Sequence, residues 1–398
     1  MSSLDKSEPV ASDLFAPATD WLRENAETII EEQIEIARCA APPFNERKRG
    51  ELVADRIEAL KLHFDFDEVG NLLAYLSSPA TSGEHSPLII AAHLDSVFGS
   101  DVRIDVRREG GRWIGPGVSD NARGVAVALA VARALVHTAV RLPFPTLLAF
   151  TVGEEGPGDL RGVKYLFRRG SPLGAARAFI AVDGGGLRRI ICRALGIRRY
   201  RVTVHGPGGH SWTNWGRTNP AAAVGRFMAG IHDLELPTEP RTTLTAARHG
   251  GGTSINAIPE ESWVELDLRS EAESQLEAVQ KRLHDVLEAS LREERRGREG
   301  DLTADWKTIG ERPAARMATG ERLVVACREA TRALGIEPEY AVSSTDANVP
   351  MALGIPSIAI GGGGRSGDTH TEHEWFEDTD GAAGALRLLH ILSALSLT

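Results

Sequence analysis

The sequence predicts an α/β protein with a mostly parallel sheet and helices on both of its faces. Two observations support this prediction. Continuous apolar runs, such as residues 88–93 and 178–182, are typical of strands that are buried on both faces. These runs alternate with segments of helical periodicity, and that alternation is typical of a parallel sheet covered by helices.

The elements follow from the apolar spacing in chain order. Residues 1–18 form a leader without a clear period, and helical spacing then covers residues 21–37 and 52–60. Beyond them we expect strands at 71–76, 88–93, 146–152 and 178–182, and helices at 118–136 and 160–169. After residue 310 the same pattern predicts a helix at 321–334, strands at 339–343 and 357–360, and a final helix from Asp380.

The pattern changes between residues 195 and 310. Strands predicted at 199–204, 242–247 and 263–268 alternate polar and apolar residues, as antiparallel strands with one solvated face do. Helices at 219–234 and 273–298 complete a small α+β module. We therefore expect a discontinuous α/β domain, residues 1–194 and 311–398, and one inserted domain, residues 195–310.

Composition argues against several classes of protein. The 398 residues carry 45 Lys and Arg against 55 Asp and Glu, a net charge of −10, whereas a nucleic-acid binder normally has a basic stripe. Three scattered cysteines exclude a disulfide framework and fit a reducing compartment. The first 20 residues lack an apolar core, and the longest apolar stretch is too short to span a membrane. We expect a cytoplasmic protein without nucleic-acid or membrane partners.

Five polar clusters follow the predicted strands or precede a helix, at the edge of the sheet where α/β proteins bind ligands. Taken alone, each has an ordinary structural explanation, such as a satisfied buried histidine, a helix cap or solvated acids. Glu154 and Glu155 are the exception. Adjacent carboxylates after a buried strand repel each other and lose hydration, which costs free energy unless a cation lies beside them. The clusters are His93 with Asp95, Asp120 with Asn121, Glu154 with Glu155, Asp183, and His370 with His373 and Glu374.

Together these clusters supply histidine and carboxylate ligands in the number that a pair of metal ions needs. Such mixed sets suit Zn²⁺, Mn²⁺ or Co²⁺. Two metals bridged by one carboxylate would lie about 3.5–4 Å apart. We expect two divalent ions, with zinc favoured over cobalt and manganese.

These motifs, in this order and spacing over residues 85–375, resemble those of the zinc-dependent peptidases and deacylases, the family of glutamate carboxypeptidase, tripeptidase (peptidase T) and acetylornithine deacetylase. The resemblance implies that Asp120 bridges two metals and that Glu154 is the general base. It also implies that Asp95 orients His93 and that the bond between Asp120 and Asn121 is cis. The implied metal ligands are His93, Asp120, Glu155, Asp183 and His370. His373 falls on a variable position of the family's last motif.

The resemblance extends to the inserted domain, which in the family is a lid and dimerisation domain. His210 matches the lid histidine that reaches the partner subunit's active site and helps to hold the oxyanion. Asn256 and Arg269 match residues that hold the substrate. From the residues alone, the less favoured explanation of His210 is an exposed turn residue, whereas Arg269 is equally explained as a partner of Glu265 or Asp267. Trp212 and Trp215 either line the pocket or pack within the lid.

The expected activity is metal-assisted hydrolysis of an amide bond in a small peptide by a homodimeric enzyme. The segment 344–348 and the end of the last motif favour the tripeptidase and aminopeptidase-like branch. Deacylation of N-acyl amino acids is the second hypothesis, because the same centre performs both reactions. A single-domain zinc aminopeptidase would lack the inserted domain, and a non-catalytic binding protein on this fold would have lost ligands or Glu154. The glycine runs lack the context of nucleotide-binding loops.

Overall fold

A computed structural model describes residues 13–77 and 86–396. The chain forms two compact units. The discontinuous unit comprises the described parts of Met1–Ala194 and Arg316–Thr398, and the inserted unit comprises Leu195–Ala315. The inserted unit extends beyond residue 310 because the strand Thr303–Arg312 pairs with Gly196–His205 in its sheet.

The helices and strands of the described residues are numbered in chain order. The helices are α1 (Ala16–Glu24), α2 (Ala26–Arg38), α3 (Arg47–Ala59), α4 (Ala122–His137), α5 (Arg161–Leu166), α6 (Pro220–His232), α7 (Glu273–Arg295), α8 (Arg322–Ala333), α9 (Asn348–Ala352) and α10 (Ala383–Ser396). The strands are β1 (Phe64–Phe66), β2 (Leu72–Ser77), β3 (Leu88–His93), β4 (Arg107–Glu109), β5 (Arg112–Ile114), β6 (Thr146–Thr151), β7 (Ala178–Val182), β8 (Arg189–Ala194), β9 (Gly196–His205), β10 (Gly209–His210), β11 (Thr242–Gly251), β12 (Ala257–Ile258), β13 (Glu261–Ser270), β14 (Thr303–Arg312), β15 (Ala315–Arg316), β16 (Glu339–Ser343), β17 (Ser357–Ile360), β18 (Arg365–Gly367) and β19 (Trp375–Glu377).

The main sheet of the discontinuous unit confirms the predicted fold class. Its order runs β1-β2-β6-β3-β7-β17-β8, and β6, β3, β7 and β17 are parallel neighbours. Strand β3 shows how both faces are covered, because successive side chains point to opposite faces. Leu88 and Ile90 enter a core shared with α1, α2, α4, α8 and α10, whereas Ile89 and Ala91 enter a second core that includes residues of α5. Burying one such leucine or isoleucine side chain contributes about 1.5–3 kcal/mol.

Two helix predictions differ from the structure at turns. The single helix expected over 21–37 is two helices, which meet where the Asn25 side chain donates to the carbonyl of Trp21 at 2.8 Å. The helix expected from residue 118 begins at Ala122, because Asn121 is its N-cap. The end of the predicted leader, residues 16–18, belongs to α1, and residues 1–12 lie outside the described part.

The inserted unit is built on an antiparallel sheet of order β11-β13-β9-β14. Alternate residues of its strands, among them Val202, Val204 and Val264, form a separate core with residues of α6 and α7. A short pair, β10 with β12, aligns His210 with Ala257.

A second small sheet of the discontinuous unit, of order β18-β19-β5-β4, was not predicted. Its strands are three residues long, which is too short for a periodic pattern. The pairing of Trp375 with Ile114 brings the segment after β18 beside the loop that precedes α4. Among the described residues, no helix combines the length and the apolar character that crossing a membrane requires.

Candidate metal centre

Three parallel strands bring predicted site residues to one edge of the main sheet. His93 is the last residue of β3 and pairs with Thr151, the last residue of β6. Glu154 and Glu155 follow β6, and Asp183 follows β7. Because β3, β6 and β7 run in the same direction, their carboxyl ends lie together.

Two loops add the remaining residues. Asp120 comes from the turn before α4, and His370 comes from the segment between β18 and β19. Asp120 lies between the two histidines: its Oδ1 is 3.0 Å from His93 Nε2, and its Oδ2 is 3.4 Å from His370 Nε2. Asp183 Oδ1 is 3.6 Å from His93 Nε2, and Glu155 Oε1 is 3.1 Å from His370 Nε2.

The side chains form overlapping groups whose ligand atoms lie within 4.8 Å of one another. One group is His93, Asp120 and Asp183, and another is Asp120, Glu155 and His370. A third group joins His93 to Glu154 and Glu155. Asp120 belongs to the first two groups, with one oxygen turned to each histidine, which is the arrangement that a carboxylate bridging two metals requires.

A buried pair of polar atoms provides a test of whether a cation fits. His93 is 3% exposed, and neither its Nε2 nor Asp120 Oδ1 has a hydrogen-bond partner among the described residues. Burying such atoms unpaired costs about 1–3 kcal/mol each. Histidine nitrogen and carboxylate oxygen are ligands of divalent transition metals. The side chains therefore fit a cation that would satisfy both atoms.

The electrostatics of the cluster also favour a positive charge. Side-chain hydrogen bonds with Asp120 and Glu155 raise the pKa of His370 to about 10. Burial works to lower the pKa of His93, but the neighbouring carboxylates of Asp120 and Asp183 outweigh it and raise that pKa well above its ordinary value. Burial works to raise the pKa of Asp120, but the two neighbouring histidines hold that pKa below its usual range. The acids thus stabilise positive charge at this edge of the sheet.

Asp95 joins the histidine to the acidic pair. Its carboxylate accepts the backbone N–H groups of Glu154 at 2.9 Å and of Glu155 at 2.8 Å. His93 Nδ1 lies 3.1 Å from the backbone carbonyl of Asp95 and 3.5 Å from its Oδ1. The contact of the imidazole with Asp95 is therefore closest at the carbonyl, while the carboxylate fixes the turn that carries Glu154 and Glu155.

Asn121 fixes the position of Asp120. Its Oδ1 accepts the backbone N–H groups of Gly124 at 3.0 Å and Gly184 at 3.1 Å, and its amide donates to the carbonyl of Val182 at 2.9 Å. The bond between Asp120 and Asn121 is cis, as the resemblance implies. Because Asn121 caps α4, the carboxylate of Asp120 is not used as the helix cap.

Glu374 is the acid at the end of the last sequence motif, and the sequence predicts no role for it. It is fully buried and accepts three backbone N–H groups, from Gly117 at 3.2 Å, Ser119 at 2.7 Å and Asp120 at 2.8 Å. Burial raises its pKa to about 7, although these hydrogen bonds favour the charged form. Glu374 thus connects the segment of His370 to the loop of Asp120. The sequence signal that could have indicated this role is the acid at the end of the motif that begins at His370.

Asp346 is a second buried acid without an assigned role. Thr151, opposite His93 in the sheet, donates its hydroxyl to Asp346 Oδ2 at 2.5 Å. Burial raises the pKa of Asp346 to about 6. It therefore supports the end of β6, from which the turn to Glu154 begins.

The other predicted site residues lie in the inserted unit. His210 and Asn256 are close in the fold, because Ser211 N–H donates to the Asn256 carbonyl at 2.9 Å. Both line one cavity of this unit. Arg269 lies near the far end of β13, where its Nε donates to Asp267 Oδ2 at 2.7 Å. Its ion pair with Asp267 matches the structural alternative that the sequence left open.

Comparison with known proteins identifies the family. The model of Peptidase family M20/M25/M40 matches residues 89–394. The chain belongs to this family. Membership makes it an enzyme of a hydrolase family, and the fold agrees. A tripeptidase from Staphylococcus aureus superposes with a TM-score of 0.78 at 20% identity, covering 94% of this chain and 99% of that chain.

Two curated relatives differ in the activities that they are named for. The cytosol non-specific dipeptidase of Escherichia coli is 27% identical over 287 residues, which is 65% of this chain and 57% of the dipeptidase. The match therefore spans little more than half of that relative's length. Succinyl-diaminopimelate desuccinylase of Nitrosospira multiformis is 26% identical over 384 residues, covering 89% of this chain and 94% of that protein.

Proposed function

We propose that this protein hydrolyses an amide bond of a small peptide at a two-metal centre. The supporting observation is that the two oxygens of Asp120 face two histidines in two separate ligand groups. His93 and Asp183 would hold one ion, Glu155 and His370 the other, and Asp120 would bridge them. Zinc suits this donor set best, with cobalt and manganese as alternatives.

When bound, two such ions lower the pKa of a water molecule and polarise the scissile carbonyl. Glu154 is the general base. It is buried beside the ligands, and the carboxylate of Asp95 holds its backbone in place. Glu154 takes a proton from the attacking water and passes it to the amine that leaves when the C–N bond breaks.

His210 would hold the developing oxyanion. Its Nδ1 accepts the backbone N–H groups of Trp212 at 3.2 Å and Thr213 at 3.4 Å, so the ring proton is on Nε2. Nε2–H is then a donor fixed in direction by the turn. Removing one oxyanion donor typically costs about 10²–10³-fold in kcat. In the dimer that we propose, this histidine acts on substrate bound to the partner.

Deacylation of N-acyl amino acids is the second candidate. It is favoured by the desuccinylase, which aligns with 89% of this chain. The dipeptidase and the tripeptidase support peptide hydrolysis. Both reactions need the same attack of water on an amide carbonyl, so the two differ in substrate contacts and not in the centre.

Replacing Glu154 with Gln tests the proposal. We expect turnover to fall by at least about 10²-fold, because the general base is lost, while the metal content stays at that of the wild type. The assays are metal analysis and hydrolysis of dipeptides, tripeptides and N-acetyl amino acids. Asp183→Asn is the comparison, since it should lose metal as well as turnover. Full turnover in Glu154→Gln would reject the assignment of the base.

A further inference from the structure

An unusual group of exposed apolar side chains lies on the inserted unit. Trp212 is 84% exposed, Trp215 is 83% exposed, and Ile255 is completely exposed. We call these three residues the apolar patch. They lie on two loops that are connected by the hydrogen bond from Ser211 N–H to the Asn256 carbonyl. Grouped exposed apolar residues usually mark a binding surface, and their exposure excludes packing within the inserted unit.

The apolar patch is attached to His210 by the hydrogen bonds of the imidazole itself. Trp212 donates its backbone N–H to Nδ1 of that ring. The backbone N–H of His210 donates to Asn214 Oδ1 at 2.8 Å, and Asn214 N–H donates to the carbonyl of His210 at 3.0 Å. The turn that carries the tryptophans is therefore held against the imidazole by the hydrogen bonds of His210.

The second loop repeats this arrangement. Ile255 directly precedes Asn256, the other residue of the inserted unit that we expect to contact the substrate, and Ser254 donates its hydroxyl to Asn256 Oδ1. Each of these polar groups thus has an exposed apolar side chain within two residues.

We propose that the apolar patch binds a large apolar side chain of the substrate, so that the enzyme selects peptides with leucine-like or aromatic residues. This inference rests on the proposed function, because it takes His210 and Asn256 as substrate contacts. Tryptophan offers about 150–250 Å² of rigid contact surface. Losing such a contact weakens substrate and transition state equally, and so it raises KM more than it lowers kcat.

The test compares Leu-Leu with Ser-Ser as substrates of the metal-loaded enzyme. We expect the wild type to prefer Leu-Leu by at least about tenfold in kcat/KM. Trp212→Ala and Trp215→Ala should each remove most of this preference by raising KM for Leu-Leu, with kcat and the values for Ser-Ser nearly unchanged. Trp212→Phe should keep it. Ile309→Ala is the control, since Ile309 is 42% exposed in the same unit but lies on β14.

Binding to the Glu154→Gln variant separates this inference from the proposed function. Calorimetric titration with the two dipeptides requires no turnover. Suppose that the wild type hydrolyses no amide, but that Glu154→Gln binds Leu-Leu more tightly than Ser-Ser and Trp212→Ala abolishes this difference in affinity. The proposed function then fails and the inference stands. Equal affinities for the two dipeptides, or an equal loss for both in the tryptophan variants, would overturn the inference. If the tryptophan variants lose affinity equally for both dipeptides and also sediment as monomers, the apolar patch is instead a contact between copies.

Discussion

Glu374 illustrates at the scale of a single residue how a loop that carries a metal ligand is held in place. In Glu374→Gln, the amide oxygen replaces one acceptor, but an NH₂ group faces the backbone N–H of Gly117 or those of Ser119 and Asp120. A buried donor opposite a donor costs about 1–3 kcal/mol. We expect the affinity for the metal ions to fall by about 10–100-fold, as it does when supporting hydrogen bonds around a metal site are lost.

Chelator competition and thermal unfolding of the metal-free protein measure these two effects of Glu374→Gln. Glu372→Gln is the matched control, because Glu372 lies two residues away on the same segment and is exposed. Both metal affinity and stability should be unchanged in the control. An unchanged metal affinity in Glu374→Gln would contradict the positioning role.

Residues at strand ends could be predicted from the sequence, whereas residues that accept backbone N–H groups could not. His93 and Asp183 follow from the ends of two apolar runs, because parallel strands bring such ends together. The role of Glu374 depends on where three N–H groups of a distant loop point. No side-chain pattern encodes those directions. The same reason explains why Asn121, and not Asp120, is the helix cap.

At the scale of elements, α4 and β7 approach each other closely enough to require a glycine. A Cβ atom on Gly124 would lie 2.2 Å from the carbonyl oxygen of Val182 and 2.2 Å from Asn121 Oδ1. We expect Gly124→Ala to destabilise the protein by about 1–3 kcal/mol, because the start of α4 must move away from the end of β7. Since Asp120 and Asp183 flank this contact, metal affinity should fall as well.

Gly225→Ala in α6 provides the comparison for Gly124→Ala, because a Cβ there meets no atom within 4 Å. Alanine at such a helical position is expected to stabilise by about 0.4–1 kcal/mol. Urea unfolding of both variants gives the two values. Equal unfolding midpoints for the two variants would mean that the close approach of α4 to β7 does not affect the free energy of unfolding.

The accuracy of the predicted elements follows how clearly their apolar residues mark them. The bounds of β3, β7, β16 and β17 agree with prediction to the residue, and most residues of β3, β7 and β17 are apolar. β14 was missed, and so was the small sheet that places Glu374 against the loop of Asp120. The register of the three-residue strands in that small sheet is set by tertiary pairing, here Trp375 with Ile114, and not by a local pattern.

At the scale of the whole molecule, the proposed catalytic groups belong to different units, with Glu154 in the discontinuous unit and His210 in the inserted one. If His210 serves the partner's metal centre, two inactive variants can complement each other. A dimer of one His210→Ala protomer and one Glu154→Gln protomer would contain one site with both groups intact. Random pairing of equal amounts makes half of the dimers mixed, so activity should recover to about a quarter of the wild-type value.

Co-expression of the two variants with different affinity tags allows the mixed dimer to be purified and assayed directly. Each variant expressed alone provides the background, and both should lose at least about 10²-fold in kcat. If His210 instead acts within its own chain, every site in the mixed dimer lacks one group, and activity stays at that background. Recovery of activity therefore requires both a stable dimer and a His210 that acts on the partner's metal centre. One measurement tests both.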